Sequence, residues 1–429
     1  MKEEFLHYIW KTKSFRLDGL KTTIGKEVEV VNFGTHNMNA GPDFLNARIV
    51  IEDQIWIGHV EIHVTASDWL KHNHSKDDAY QNVILHVVLI WDIDIKRKDG
   101  TIIPCISIKD RISASLLANY PLMLNKNLWI PCEKMLQSVA LITKQQTISI
   151  MLAGRLSFKA KSIESAFVKK KVDWDEVAYK TLCQSMGLSV NAGAMANIAA
   201  RTPWQVISEM RHDVFQLEAL FFGQSGLIET QEDNYSKKLS KCYNHLRKRY
   251  QLTPGKAVEW KFSRMRPQNF PTLRIAQFVQ ILHQCQSLSN LAIHQSLEEI
   301  YDGLNIEVGG YWLNHYRFGK VAPKKKKRLG KATIHRIITN AIIPIRFFYA
   351  QKHHLADKQE SCVSILEQLP SERNQITERW IQLNLPNKSA ADSQGLIELK
   401  KTFCDKQRCL SCPIGHKILT RKNDSKCTG

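Results

Sequence analysis

Three groups of residues in this chain have the types and spacing to do chemistry. The first is Gly41-Pro42-Asp43-Phe44, followed by Glu61-Ile62-His63. An Asp that ends a turn before one strand and a Glu on the next strand can bring two carboxylates together. Such a pair suits Mg2+ or Mn2+, which keep bound waters and can carry an activated nucleophile while neutralising a scissile phosphate. His63, two residues beyond Glu61, shares its face of a strand and is placed to position or deprotonate that water. The second group is a run of imidazoles. His59, His63, His72, His74 and His86 fall between positions 59 and 86, with Asp68, Asp77 and Asp78 among them. Histidine with carboxylate is a donor set for Zn2+, Mn2+ or Fe2+, so a zinc-dependent hydrolase built on His59–His86 is the competing reading. No HExxH occurs, and most of these histidines are expected in structural or surface roles. His86, inside an apolar run, is expected to be a satisfied core residue. The third group is Cys404-x4-Cys409-x2-Cys412-Pro413. Three thiolates at this spacing suit Zn2+ or an iron–sulfur cluster. The fourth ligand is open between Cys427, Cys362 and His416, while Cys105, Cys132, Cys183, Cys242 and Cys285 stand alone in apolar or helical segments and are expected to be packing residues.

The first two groups need a sheet to position them, and the sequence supplies one. Residues 3–10 place Phe5, Leu6, Ile9 and Trp10 on one helical face, with Glu3 and Glu4 in the first turn. Strand-like runs follow at 27–33, 44–51, 55–64 and 82–91. The third alternates, with Ile57, His59, Glu61 and His63 on one face and Trp56, Val60 and Ile62 on the other. The fourth is almost continuously apolar, as a strand covered on both faces would be. Residues 67–81 read as a loop and short helix between them. These elements predict an α/β domain over residues 1–133. From 134 onward helical spacing dominates, for example at 147–157, 175–186, 192–199, 273–284, 333–350, 361–368 and 373–383. The fold class expected is therefore α+β, with residues 134–429 forming a mostly helical domain that ends in the cysteine site.

Charge separates the same two regions. The chain has 429 residues, 60 Lys+Arg and 41 Asp+Glu, for a net charge of +19. Residues 1–100 are slightly acidic, so the basic excess lies in the remainder. A surplus of this size raises affinity for a polyanion through phosphate contacts and counterion release. Its densest pieces are Lys169-Lys170-Lys171, the stretch from Lys237 to Arg249, and Lys324-Lys325-Lys326-Lys327-Arg328. Arg264 and Arg266, in an aromatic and basic segment, and Arg274 beyond it complete a candidate phosphate-holding set. The partner expected is nucleic acid, DNA ahead of RNA. Pro323 with the basic run after it resembles a nuclear-import signal, but its place between ordered segments favours a basic loop. Gly319-Lys320 and Gly330-Lys331 lack the earlier glycine of a P-loop, and no GxGxxG or GxSxG occurs. ATP-driven and serine-hydrolase chemistry therefore have no residue support. No apolar run is long enough to span a membrane and the N-terminus carries no secretory signal, so a cytoplasmic protein with reduced cysteines is expected.

Pro42-Asp43 and Glu61-x-His63, preceded by a helix carrying Glu3 and Glu4, resemble the motif of the PD-(D/E)xK nuclease superfamily in order and strand context. That resemblance implies a metal-dependent nuclease in which Asp43 and Glu61 bind the ion. The departure is His63 where the superfamily usually has Lys, since a neutral imidazole is not a permanent cation. The whole chain also resembles an uncharacterised bacterial family, domain-of-unknown-function family 2851, through NMNAGPDFLNARI (37–49), GHVEIHVTASDWLKHNHSKDDAYQNVILHVV (58–88), SRMRPQNFPTLRIAQF (263–278), GGYWLNHYRFGK (309–320) and RCLSCPIG (408–415). This resemblance implies a bacterial cytoplasmic protein and transfers no activity.

Overall fold

Helix α1 (Glu3–Lys11) forms where apolar side chains recur at helical spacing, and Phe5, Leu6, Ile9 and Trp10 are all fully buried. The Trp10 indole N–H donates to the Phe33 carbonyl at 3.0 Å, which fixes the helix to the chain entering the sheet. This computed structural model describes residues 1–123, 128–167 and 172–421. The basic run Lys169–Lys171 and the candidate ligand Cys427 lie outside the described residues.

The sheet contains β1 (Val28–Asn32), β2 (Thr35–His36), β3 (Phe44–Ile51), β4 (Gln54–Thr65), β5 (Val83–Ile90) and β6 (Cys105–Ser107). Its order is β1-β3-β4-β5-β6, with β2 paired to β3. The β1–β3 and β3–β4 pairs are antiparallel, whereas β4–β5 and β5–β6 are parallel. A parallel pair needs a crossover. Here it is made by the short helix α2 (Asp68–Lys71) and two 3-10 turns, His74–Lys76 and Asp78–Tyr80. Helix α1 packs on β4. Strand β4 carries Gly58 where it meets the chain entering β5. A Cβ there would lie 2.5 Å from the Asn82 carbonyl oxygen, so only glycine lets the two backbones approach. Strand β5 is buried along nearly its whole length, as its apolar run predicts.

By contacts the chain divides into two units. The first comprises Met1–Thr147, Leu383–Leu385 and the chain from Leu399 onward; the second comprises Ile148–Gln382 and Pro386–Glu398. The first unit also contains α3 (Ala114–Leu122) and a 3-10 helix over Glu133–Ser138. The boundary falls inside α4 (Leu141–Ala166), a 26-residue helix longer than the 147–157 segment that spacing alone marks. The second unit is mainly helical. Helices α5 (Trp174–Met186), α6 (Ala192–Arg201), α7 (Trp204–Met210), α8 (Val214–Ser225), α9 (Asn234–Tyr250) and α10 (Pro271–Gln284) contribute to a large core in which Tyr179, Phe221 and Phe278 are fully buried. Two short antiparallel pairs interrupt it: Glu307–Val308 with Lys327–Arg328, and His315–Arg317 with Lys320–Val321. The helical run expected at 333–350 contains a π-turn over Ile338–Ile342, just before Pro344, a residue that cannot donate to the preceding turn. Among the described residues no helix is long and apolar enough to cross a membrane. The architecture is α+β, a mixed N-terminal sheet followed by a helical region.

Candidate active site

Antiparallel pairing of β3 with β4 sets Phe44 opposite Val60, which puts Asp43 at the mouth of β3 beside Glu61. The Asp43 backbone N–H donates to Glu61 Oε2 at 3.1 Å, and the Ile62 N–H donates to Asp43 Oδ2 at 2.9 Å. Glu61 thus holds the backbone of Asp43, and Asp43 holds the backbone of Ile62, the residue after Glu61. From α1, His7 reaches the same point, its Nε2 3.2 Å from Asp43 Oδ2. Glu3 lies one helical turn before His7. Burial first, and then the Asp43 charge, lifts its carboxyl above the ordinary range. For His7, burial is the largest influence and opposes the charged form, but the bond to Asp43 together with the charges of Asp43, Glu3 and Glu61 outweighs it and raises the imidazole.

Beyond Asp43, Glu61 faces a cluster of imidazoles. Its Oε1 is 3.2 Å from His74 Nε2 and 3.7 Å from His63 Nε2. His63 Nε2 is in turn 3.2 Å from His72 Nδ1, and His63 Nδ1 is 2.9 Å from His86 Nε2. One ring nitrogen from each of His63, His72 and His74 lies within 4.8 Å of the others, and among the described residues this is the group whose spacing suits a metal ion. Two imidazoles come from the crossover because Asn73 adopts a left-handed conformation (φ 62°) between them. His74 is then held flat against Tyr80, with centroids 3.8 Å apart. The buried Trp69 indole lies edge-on to His63, His74 and His86.

The electrostatics follow from this crowding. Burial, and then Asp43 alongside, hold the Glu61 carboxyl well above the ordinary carboxylate range. Burial and the neighbouring His86, His74 and His72 push His63 down to about 2. Burial, and then His74, push His86 down to about 4. Neutral imidazoles are the form that binds metals. A site with a proton-retaining Glu61 beside His63 and His74, both pushed by burial toward the neutral form, is one in which a cation can replace a proton. His86 departs from the expected satisfied core histidine: it is fully buried, but its Nδ1 has no hydrogen-bond partner among the described residues. His59 stays out of the group, its Nδ1 accepting from the Asn46 N–H at 3.3 Å.

The residues expected to hold phosphate belong to the second unit. Arg264 and Arg266 are exposed, as are Lys324, Lys325, Lys326 and Arg328. Two others are turned inward. Arg274 is buried and donates to Gln277 Oε1 (3.0 Å), Asn269 Oδ1 (2.7 Å) and Thr333 Oγ1 (3.1 Å). Lys327 is buried, donates to the carbonyls of Trp312 and Leu313, and covers the Tyr316 ring. Neither has a free head for a phosphate. Arg328 is engaged at the surface with Glu307 at 2.8 Å.

The C-terminal cysteines sit on three consecutive turns. Cys404 ends a π-turn over Leu399–Cys404, Cys409 opens a 3-10 turn over Cys409–Ser411, and Cys412 caps the helix Pro413–Leu419. Two of the suggested fourth ligands are committed elsewhere. Cys362 belongs to the core of the second unit, and His416 Nδ1 is 2.7 Å from the Tyr8 hydroxyl. Cys132 does not stand alone as expected, because its thiol interacts with those of Cys409 and Cys412.

The family model for a protein of unknown function, DUF2851, matches residues 3–375. The chain belongs to the DUF2851 family. The matched span takes in α1, both carboxylates and every imidazole of the cluster, whereas Cys404, Cys409 and Cys412 lie beyond it. Comparison with curated proteins and with solved structures gave no match. Within this DUF2851 site, His7 escaped sequence reasoning, since a single histidine on an amphipathic helix carries no spacing signal. His72 and His74 were visible only as members of a run, without any indication that they face Glu61.

Proposed function

We propose that this protein is a divalent-metal-dependent hydrolase that cuts the phosphodiester bonds of nucleic acid. The observation that carries the reading is the position of Glu61, with the backbone of Asp43 on one carboxylate oxygen and His74 and His63 on the other. The donor set fits a metal. Three imidazoles and a carboxylate favour Mn2+ or Zn2+ over Mg2+, which prefers oxygen ligands. The residues that would hold the ion are Glu61, His63, His72 and His74, with Asp43 able to share it. Such an ion, when bound, supplies charge neutralisation at a phosphate and a more acidic water.

The order of elements supports the resemblance to the PD-(D/E)xK nucleases. A helix precedes β1, β3 and β4, in which β3 runs antiparallel to both neighbours, and a crossover leads to β5, parallel to β4. The replacement of the usual Lys by His63 has a counterpart in His7. Neutral His63 cannot serve as a cation, whereas His7, held 3.2 Å from Asp43, can carry positive charge and donate a proton to a leaving oxygen. Asp43 would orient His7, and the basic surplus outside residues 1–100 favours a polyanionic substrate.

The test is nicking of supercoiled plasmid by the full chain with Mn2+, Mg2+, Zn2+ or EDTA, alongside Asp43→Asn and Glu61→Gln. Metal-dependent nicking lost in both variants is the expected result. Salt-sensitive DNA binding without cleavage under any metal would instead mark a non-catalytic nucleic-acid-binding protein. The histidine cluster favours one second reading, a zinc-dependent hydrolase of small substrates. It would show as stoichiometric zinc and ester hydrolysis without DNA affinity.

A further inference from the structure

We propose that Cys132, Cys404, Cys409 and Cys412 together bind an iron–sulfur cluster, with Cys132 as the ligand that completes the set. All four belong to the first unit, and none of them is in a disulfide. Cys132 immediately precedes the 3-10 helix Glu133–Ser138, and the helix Pro413–Leu419 that follows Cys412 packs against that element. The chain around the knuckle is drawn in tightly. A Cβ on Gly415 would lie 2.1 Å from the Cys409 carbonyl oxygen, and the Cys412 N–H donates to that same oxygen at 3.2 Å. All six pairings of the four thiols interact electrostatically. Backbone N–H groups of Gly415 and Ile414 favour the charged form of the Cys412 sulfur, and Lys400 favours that of Cys404. Cys132 and Cys412 are buried and Cys404 and Cys409 half-buried, so the four thiols gather largely away from solvent, where a metal centre can take them as thiolates.

Spacing points to iron–sulfur rather than zinc. A Zn–S bond of about 2.3 Å in a tetrahedron puts thiolates roughly 3.8 Å apart. Among the described residues the group that closes to within 4.8 Å is the histidine triad, not the thiols. Among the described residues no three of the four sulfurs lie within 4.8 Å of one another, which suits a cluster with several irons between them better than a single ion. The cluster would tie the chain after Leu399 to the N-terminal unit, a role independent of the hydrolytic reading.

The test uses the full chain purified without oxygen. The expected protein is brown, with absorbance near ~400 nm and about four iron and four acid-labile sulfide per chain. Cys132→Ala should lose most of that iron, as should Cys404→Ala, while Cys242→Ala in α9 keeps it. A colourless protein with zinc, a protein without metal, or a Cys132→Ala variant with full iron would each overturn the proposal. Should Cys132→Ala fail to fold, alkylation of the wild type decides. Cys132 must become reactive on removal of iron together with Cys404, Cys409 and Cys412, and labelling of Cys132 that ignores iron removal refutes its role.

Discussion

Glu61→Gln should make the metal-free protein more stable while abolishing its response to metal. In the native structure the Glu61 carboxyl is buried beside Asp43 and keeps its proton far above the 4.5 at which an unhindered glutamate titrates. A carboxyl that must stay protonated at pH 7.5 when folded but ionises when unfolded costs about 1.4 kcal/mol for each pH unit between, or roughly 4 kcal/mol. The sign follows from proton counting. The folded form binds the extra proton, so stability is complete below the unfolded pKa and is lost as pH rises toward the folded one. Glutamine removes that loss and keeps the shape. Its carbonyl can accept from the Asp43 N–H, and its amide can donate to His74, which stands 3.2 Å from the opposite oxygen. A gain of about 2–4 kcal/mol in EDTA at pH 7.5 is expected. The useful window is pH 7 to 8.5, because His63 and His86, whose folded pKa values are depressed, add their own loss of stability only as pH falls through the ordinary histidine range. The assay is urea unfolding in EDTA and in saturating Mn2+. The wild type should gain about 3 kcal/mol at a hundredfold excess of metal over Kd, and the variant almost nothing. A Glu61→Gln protein no more stable than wild type in EDTA, or one that keeps the metal gain, refutes the site.

Three further outcomes follow from the geometry. His74→Ala should weaken Mn2+ or Zn2+ binding by isothermal titration at least tenfold, as loss of a ligand would, whereas His59→Ala, whose ring sits apart on Asn46, should leave it unchanged. Arg274→Ala should cost about 2–4 kcal/mol of stability by leaving the buried Gln277 and the half-buried Asn269 and Thr333 acceptors unpaired. It should not alter the salt dependence of DNA binding, while the exposed Arg266→Ala should lower the log–log salt slope by about one. Finally, Glu218 is buried where Tyr235 and Trp312 donate to it, and burial pushes it up to about 7. Glu218 should therefore subtract up to ~3 kcal/mol from stability as pH rises from about 4.5 to 7, and Glu218→Gln should remove that share of the pH dependence in thermal melts while the Glu61 share stays.

How far this molecule could be read from its sequence depends on the range over which each signal acts. Helix α1 and strands β3 to β5 were legible because a two- or 3.6-residue period records which side of an element meets a core, and that side is fixed within the element itself. The facing of Asp43 and Glu61 was legible for a similar reason, as a short antiparallel connection leaves little freedom between neighbouring strands. Longer-range meetings leave no such trace. His7 arrives from another element, Cys132 meets cysteines far along the chain, Lys327 turns inward although its neighbours are basic and exposed, and Arg274 turns inward on a helix whose neighbouring residues are buried. The charge run misled at Lys327 because a run records composition, while the direction of each side chain is set by what lies beneath it.

The same distinction explains why two readings that compete in the sequence meet in the structure. Paired carboxylates and clustered histidines look like rival metal sites when taken as separate strings. The β4–β5 crossover folds His72 and His74 back over the end of β4, which sets Glu61 Oε1 3.2 Å from His74 and 3.7 Å from His63, so under the proposed function it would belong to both sets. The choice between oxygen-rich and nitrogen-rich metal chemistry then turns on this one carboxylate. In the proposed site it would offer an oxygen pair with Asp43 and a transition-metal donor set with the imidazoles. Metal preference should therefore be adjustable from either flank. Asp43→Asn should shift the site toward zinc, and His72→Ala should shift it toward oxygen-seeking Mg2+ and Mn2+. Competition titrations of the two variants that leave the metal order unchanged would show that the two sets do not share their central acid.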